Sequence, residues 1–221
     1  MKKFPVTIVD NFYENPELVR DFALSQKFYP SDGAYPGERS EGIHNLNQDF
    51  FQNFCEKLFS LFYDLETAEL SWNVETTFQK IGKLSNDRNS KLNAGWIHSD
   101  SSIFSGVIYL SKNSTGTSIY YPKDADSGMT CQDQKHLFYS GKTTNEDEYA
   151  LAIEKNNNNF YESIRVDGKF NRLVLFEGGV YHGVPSFFGE DDFRLTQVFF
   201  VNEIASSKNT ANYPIIRSKV R

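Results

Sequence analysis

The sequence predicts a mainly β, α+β protein, a barrel or sandwich of the jelly-roll (cupin-like) type preceded by supporting helices. Three observations lead there. Aromatic residues make up 15% of the chain, with 20 Phe and 12 Tyr, and such enrichment leans toward strands. Beyond the first third, short runs rich in β-branched and aromatic residues are separated by Gly, Asn, Asp and Ser, as in many short strands joined by turns. The first third instead carries apolar residues at helical spacing. At 221 residues the chain is long enough for one sizeable core and short for two. The expectation is therefore a single domain over 1–221: a helical support region at 1–70, a jelly-roll core at 71–204 with an insert at 123–168, and a C-terminal tail at 205–221.

Taken in order, residues 4–9 (FPVTIV) read as a first strand. DNFYENPELVRDFALSQ reads as a helix: Asn15 suits a cap, Pro16 the first helical position, and Leu18, Phe22 and Leu24 form an apolar stripe. YPSDGAYPGERSEG is a turn-rich loop. QDFFQNFCEKLFSLFYDL is a second amphipathic helix, with Phe51, Phe54, Leu58, Leu61 and Phe62 on one side, read as packing onto a sheet. The strand candidates are ELSWNVETTFQKIG, SIFSGVIYLS, TSIYYP, NRLVLFEGGVYHGVP and FRLTQVFFVNEI. The insert holds a short helical pattern, NEDEYALAIEKN, and an Asn run that reads as a solvated loop. Long inserts in compact β domains are usually functional or mobile.

Composition excludes several classes of function. The net charge is −6 and no cluster of Lys and Arg stands out, so nucleic acid is not expected as a partner. The two cysteines, Cys55 and Cys131, have no C-x-x-C spacing, and no disulfide framework is expected. MKKFPVTIVDNF has no long apolar run after its lysines, and no stretch approaches a membrane span, so neither a signal peptide nor an anchor is expected and the cytoplasm is the default compartment.

Of the four histidines, His44 (EGIHNLN) and His136 (DQKHLFY) read as surface or packing residues. His98 differs because Asp100 follows two residues later, and in an extended segment both side chains point the same way. His182, in GGVYHGVP, is the other histidine in a strand-like setting. Two His and one carboxylate form the facial triad of non-haem iron(II) sites, with three coordination positions left open; a structural zinc site would close its shell with four ligands. H-x-D alone is a weak motif. Further along, Arg194 and Thr196 share one face of a strand, and Leu195 and Gln197 the other. A buried Arg is costly unless it meets an anion, and its planar fork fits a carboxylate. The competing reading pairs Arg194 with Glu190, Asp191 or Asp192.

With these residues in place the chain resembles the iron(II)- and 2-oxoglutarate-dependent dioxygenase superfamily, on its prolyl-hydroxylase-like side. The likeness rests on His98-Ser-Asp100, SGVIYLS, TSIYYP, RLVLFEGGVYHGV and RLT, within residues 96–201. It implies a double-stranded β-helix and a hydroxylase. His98, Asp100 and His182 would be the metal ligands and catalytic centre, and Arg194 and Thr196 would hold the distal carboxylate of 2-oxoglutarate. Tyr109 would help bind that carboxylate, or simply pack in the core. It further implies Fe(II), 2-oxoglutarate and O2 as cofactor and co-substrates, with ascorbate as a candidate stimulant, and a small-molecule or peptidyl substrate such as an amino acid or a prolyl side chain. The chain departs from relatives at TGTSIYYP, where many carry a Gly-Gly turn, and RLTQVFF lacks the further arginines of the alkylation-repair branch. The insert and the 29–42 loop are candidates for a lid, with Trp96, Tyr120 and Tyr121 as candidate lining. Two other readings stand beside this one: a cupin-type metal-binding module without oxidative turnover, and a zinc-dependent enzyme on the same ligands.

Overall fold

The computed structural model describes residues 6–66, 70–188 and 193–206. Strand β1 (Thr7–Val9) is followed by α1 (Pro16–Leu24), the short strands β2 (Tyr29–Pro30) and β3 (Glu38–Arg39), and helices α2 (Ile43–Leu46) and α3 (Gln48–Ser60). Then come β4 (Leu70–Gly82), a 3-10 turn (Lys91–Asn93), β5 (Phe104–Tyr109), β6 (Asn113–Pro122), α4 (Gln132–Tyr139) and α5 (Glu146–Asn157). β7 (Phe160–Lys169), β8 (Leu173–Glu177), β9 (Tyr181–Gly183) and β10 (Phe193–Ser206) complete the order. Part of the expected first strand, most of the expected tail and the trio Glu190, Asp191 and Asp192 lie outside the described residues.

Two antiparallel sheets make the β architecture. The larger has the order β1-β8-β5-β10-β4-β3-β2 and the smaller β7-β6-β9. The register of β10 decides what each face does. Thr196 stands opposite both Tyr109 and Gln79, and Val198 opposite both Val107 and Thr77, so these side chains share a face. The alternate residues Leu195, Phe199 and Val201 join the helix-side core with Phe54, Leu58 and Phe78. There the Phe54 ring meets Phe199 edge-on at 5.5 Å, and Phe22 meets Phe78 at 5.7 Å. On the opposite face Tyr109, Val174 and Phe176 pack against Ile119 and Val166 of the smaller sheet. The large sheet is thus covered by helices on one side and by the small sheet on the other, and the expected α+β jelly-roll class is what the chain forms.

Local chemistry explains the elements and where sequence reasoning erred. Pro16 does open α1, but Asn15 makes no side-chain cap. Of the expected stripe of α1, Phe22 packs against the core, but Leu18 is 68% exposed, Leu24 is also exposed, and the buried positions are Val19 and Ala23. A small residue at 23 lets the helix approach the sheet, which the larger leucines would hold off. α3 is capped by the Asn47 side chain accepting from Phe50 N–H at 2.9 Å. Residues 160–168, expected to belong to the insert, form β7 together with Lys169 along one edge of the small sheet. Most of that strand is exposed, so its sequence is too polar to read as a strand. Among the described residues no helix is long and apolar enough to cross a membrane.

Two substitutions test this packing. Phe54→Ala is expected to lower unfolding stability by about 3–5 kcal/mol, as a buried aromatic lost from a core, whereas Leu18→Ala should stay within about 0.5 kcal/mol. Chemical denaturation of both variants checks the phase of α1 against α3; an equal cost at Leu18 would show that α1 packs through the other stripe.

Candidate active site

His98 and His182 are joined by an isolated antiparallel bridge: His98 N–H donates to the His182 carbonyl at 3.0 Å, and His182 N–H donates back at 2.8 Å. Directly paired residues send their side chains to the same side, so the two imidazoles face one another with centroids 4.4 Å apart. Asp100 is turned inward by its own N–H, which donates to the Gly178 carbonyl at 2.7 Å. Its two carboxylate oxygens then lie 3.7 Å from His98 Nε2 and 3.5 Å from His182 Nε2. One ligand atom from each of the three residues falls within 4.8 Å of the others, and among the described residues this is the one such group.

The tautomers follow from the hydrogen bonds. His98 Nδ1 lies 2.8 Å from the Trp96 carbonyl and His182 Nδ1 lies 2.9 Å from the Val180 carbonyl. A carbonyl only accepts, so each Nδ1 carries the proton and each Nε2 turns a lone pair toward Asp100. Desolvation in the cleft and the neighbouring His182 push His98 down to about 4, against the pull of Asp100. It is therefore neutral near pH 7, the form that binds a metal.

Deeper in the cleft sits Arg194. Its side chain is buried, its Cζ lies 5.3 Å from the Tyr109 ring centroid, and burial lowers its pKa while Tyr109 opposes that shift. Its Nε and Nη2, and the hydroxyl of fully buried Thr196, have no hydrogen-bond partner. Three orphaned donors on one face of β10 are costly as they stand. No carboxylate among the described residues lies within 4.0 Å of Arg194. Tyr109 is also fully buried, with its hydroxyl 2.8 Å from Thr117 Oγ1. Arg194, Thr117, Phe176 and Val198 line the same cavity as the His98–Asp100–His182 cluster, and its volume is about 270 Å3.

Other expected residues fall out differently. Trp96 lines the cavity, but Tyr120 and Tyr121 do not, and Tyr121 stacks on exposed Tyr161 at 5.9 Å. His44 is exposed beside Phe51, and exposed His136 contacts the 29–42 loop. That loop and α4 both contribute to the cavity, through Ala34, Tyr35, Pro36 and Arg39 on one side and Lys135 and Tyr139 on the other. They touch at Gly33, whose φ of +120° suits glycine and where a Cβ would collide with the His136 ring. Gln79 holds the loop by donating to the Pro36 carbonyl at 2.9 Å.

The Asn run, expected as a solvated loop, instead ends α5 and makes buried hydrogen bonds. Asn157 Oδ1 accepts from Ile97 N–H at 3.0 Å and its Nδ2 donates to the Gly95 carbonyl at 2.9 Å. Asn156 Nδ2 donates to the Ile97 carbonyl at 3.0 Å, while its Oδ1 accepts from Thr130 N–H at 2.8 Å. The end of α5 thus clamps the segment that delivers His98. The available signal was that an amide side chain offers a donor and an acceptor together, but a run of four Asn is compositionally a loop.

A family model described as "Family of unknown function (DUF6445)" matches residues 1–185, a span that includes His98, Asp100 and His182 and ends before Arg194. No curated protein matches the chain. Among solved structures the chain is similar to a prolyl hydroxylase from Trichoplax adhaerens, in complex with a hypoxia inducible factor oxygen degradation domain peptide fragment. The identity is 14%, the match covers 89% of this chain and 83% of that one, and the TM-score is 0.52. It is also similar to HygX from Streptomyces hygroscopicus, solved with nickel, 2-oxoglutarate and hygromycin B bound, at 10% identity over 89% and 82% of the two chains with a TM-score of 0.53. At these identities the likeness is one of fold: the chain has the double-stranded β-helix of the iron(II)/2-oxoglutarate oxygenases, as the sequence resemblance implied.

Two variants test the site as built. Asn157→Ala leaves the Ile97 N–H and the Gly95 carbonyl without partners and should cost about 1–3 kcal/mol of stability; an unchanged denaturation midpoint would show that water replaces the clamp. Arg194→Met removes an unpaired buried cation and should leave the ligand-free protein at least as stable, by about 1–3 kcal/mol. A clear loss of stability would instead reveal a carboxylate partner and revive the ion-pair reading.

Proposed function

We propose, for a chain that belongs to the family of unknown function DUF6445, an iron(II)- and 2-oxoglutarate-dependent dioxygenase that hydroxylates a small metabolite, an amino acid or a peptidyl side chain. The observation that carries this reading is the combination in one cleft of a three-ligand metal face with a buried guanidinium that has two unpartnered nitrogens. His98, Asp100 and His182 would hold a metal through three ligands and leave positions for a chelating co-substrate and dioxygen. A site that only stored or sensed a metal has no need of Arg194 and Thr196. The shared fold with HygX and the prolyl hydroxylase supports the same reading.

Iron(II) and 2-oxoglutarate, when bound, supply oxidative decarboxylation of the diacid to succinate and carbon dioxide, with one oxygen atom going to the substrate. The protein's part is positional. The Nε2 atoms of His98 and His182 and the Asp100 carboxylate hold the ion, and the two Nδ1–H bonds to backbone carbonyls keep both rings oriented. Arg194 pairs with the distal carboxylate of the diacid, Thr196 adds a hydroxyl donor, and Tyr109 flanks the guanidinium. Trp96, Phe176 and Val198 keep that depth of the cleft dry, so the charge pairing acts at low dielectric.

Succinate released from 2-oxoglutarate in air with iron(II) and ascorbate provides the test. The wild type is expected to produce it, and His98→Ala or Asp100→Ala to fall to background with the fold retained by circular dichroism; unchanged output would end the assignment. Arg194→Ala should raise the half-saturating 2-oxoglutarate concentration by about 10–100-fold with iron affinity held. A loss of iron affinity instead would displace Arg194 from the co-substrate role.

A further inference from the structure

Two cations of the cleft have no part in holding the metal or the diacid. Arg39 on β3 and Lys135 on α4 both line the cavity. The Arg39 guanidinium lies on the Tyr35 ring, with Cζ 3.8 Å from its centroid, and the Phe200 ring is 5.5 Å away. Such stacking fixes the plane and leaves the N–H edges to find acceptors, yet Nε is buried without one. Neither Arg39 nor Lys135 has a carboxylate within 4.0 Å among the described residues. Asp100 acts on both, and exposed Glu75 on Arg39, only as more distant charges: Asp100 faces the two imidazoles and Glu75 accepts from Asn202 Nδ2 at 3.0 Å. The contact between Gly33 and His136 brings the two cation-bearing walls together at one mouth.

Charge balance then identifies what is missing. A metal dication with Asp100, and a diacid dianion with Arg194, cancel. Arg39 and Lys135 remain without an ion-pair partner beside a half-buried cleft, with only the more distant, exposed Glu75 opposite Arg39, a costly arrangement unless an anion completes it. We propose that the substrate is a small metabolite carrying an anionic oxygen group, a carboxylate or a phosphate, seated between Arg39 and Lys135 with the carbon to be oxidised turned toward the His98–Asp100–His182 cluster. This rests on the dioxygenase reading and narrows its substrate class. The planar fork of Arg39 takes two anionic oxygens side by side, and Lys135 approaches as a point charge from the other wall. A cavity of about 270 Å3 that also holds the diacid favours a compact molecule.

The test uses the full chain loaded with manganese(II) and saturated with 2-oxoglutarate under nitrogen, with inorganic phosphate and acetate as probes. Titration of the metal and of the diacid comes first; if either fails to bind the wild type, the dioxygenase reading falls and this proposal with it. Paramagnetic relaxation of the phosphorus-31 and carbon-13 signals then reports anions held near the ion. Arg39→Gln and Lys135→Gln should each weaken the relaxing site by about tenfold, with manganese and 2-oxoglutarate affinities unchanged. Relaxation by acetate alone identifies a carboxylate ligand, and by phosphate alone a phosphate. Relaxation equal in wild type and both variants means that the anions ligate the metal directly and overturns the proposal, as does the absence of any effect in the wild type. If Arg39→Gln does not fold, Lys135→Gln, on the half-exposed face of α4, decides the matter alone.

Discussion

Everything at the site depends on one backbone bridge. His98 and His182 exchange both of their main-chain hydrogen bonds, and nothing else would place two imidazoles from such distant parts of the chain on the same side with their Nε2 atoms converging. His182 belongs to β9 of the small sheet, while His98 stands just before β5 of the large one. The bridge therefore also closes the two sheets toward one another at the cleft. Asp100 completes the cluster because the same segment continues past His98 and is caught by the Gly178 carbonyl, in the turn between β8 and β9.

The layers around that bridge divide the work between stability and chemistry. Helix-side positions of β10 are apolar, apart from Gln197, and packed by the rings of α1 and α3. Gln197 is fully paired, accepting from the Tyr13 hydroxyl at 2.6 Å and donating to Thr76 at 3.1 Å. On the cleft side the same strand carries Arg194 and Thr196 with donors left unpaired. Buried polar groups are thus satisfied where the strand serves the core and left open where it faces the cavity. That asymmetry marks a binding surface more clearly than burial alone.

The sequence revealed much of this, unevenly. Runs of β-branched and aromatic residues between Gly, Asn, Asp and Ser exposed β5, β8 and β10, and the H-x-D spacing with His182 and Arg194 pointed to residues that line one cavity, Thr196 being buried next to Arg194 on the same face of β10. What stayed hidden has physical causes. β7 is a mostly exposed edge strand, so it lacks the hydrophobic period that announces a strand. The phase of α1 was set by the small side chain of Ala23 rather than by its leucines. Arg39, Lys135 and the clamp of Asn156 and Asn157 owe their places to chain segments that meet only in three dimensions, through the contact of Gly33 with His136 and the docking of α5 on residues 95–97.

The amides at the end of α5 give the fold a mechanical property. α4 and α5 pack together through Phe138 and Tyr149, whose rings stack at 3.8 Å, and α5 grips the segment that carries the His98 ring. A molecule that presses on the inner wall of α4 therefore also strains the segment behind His98. On the proposed reading, occupancy of the outer cleft and metal binding at the cluster would be joined through α5, and a linkage of that kind is reciprocal.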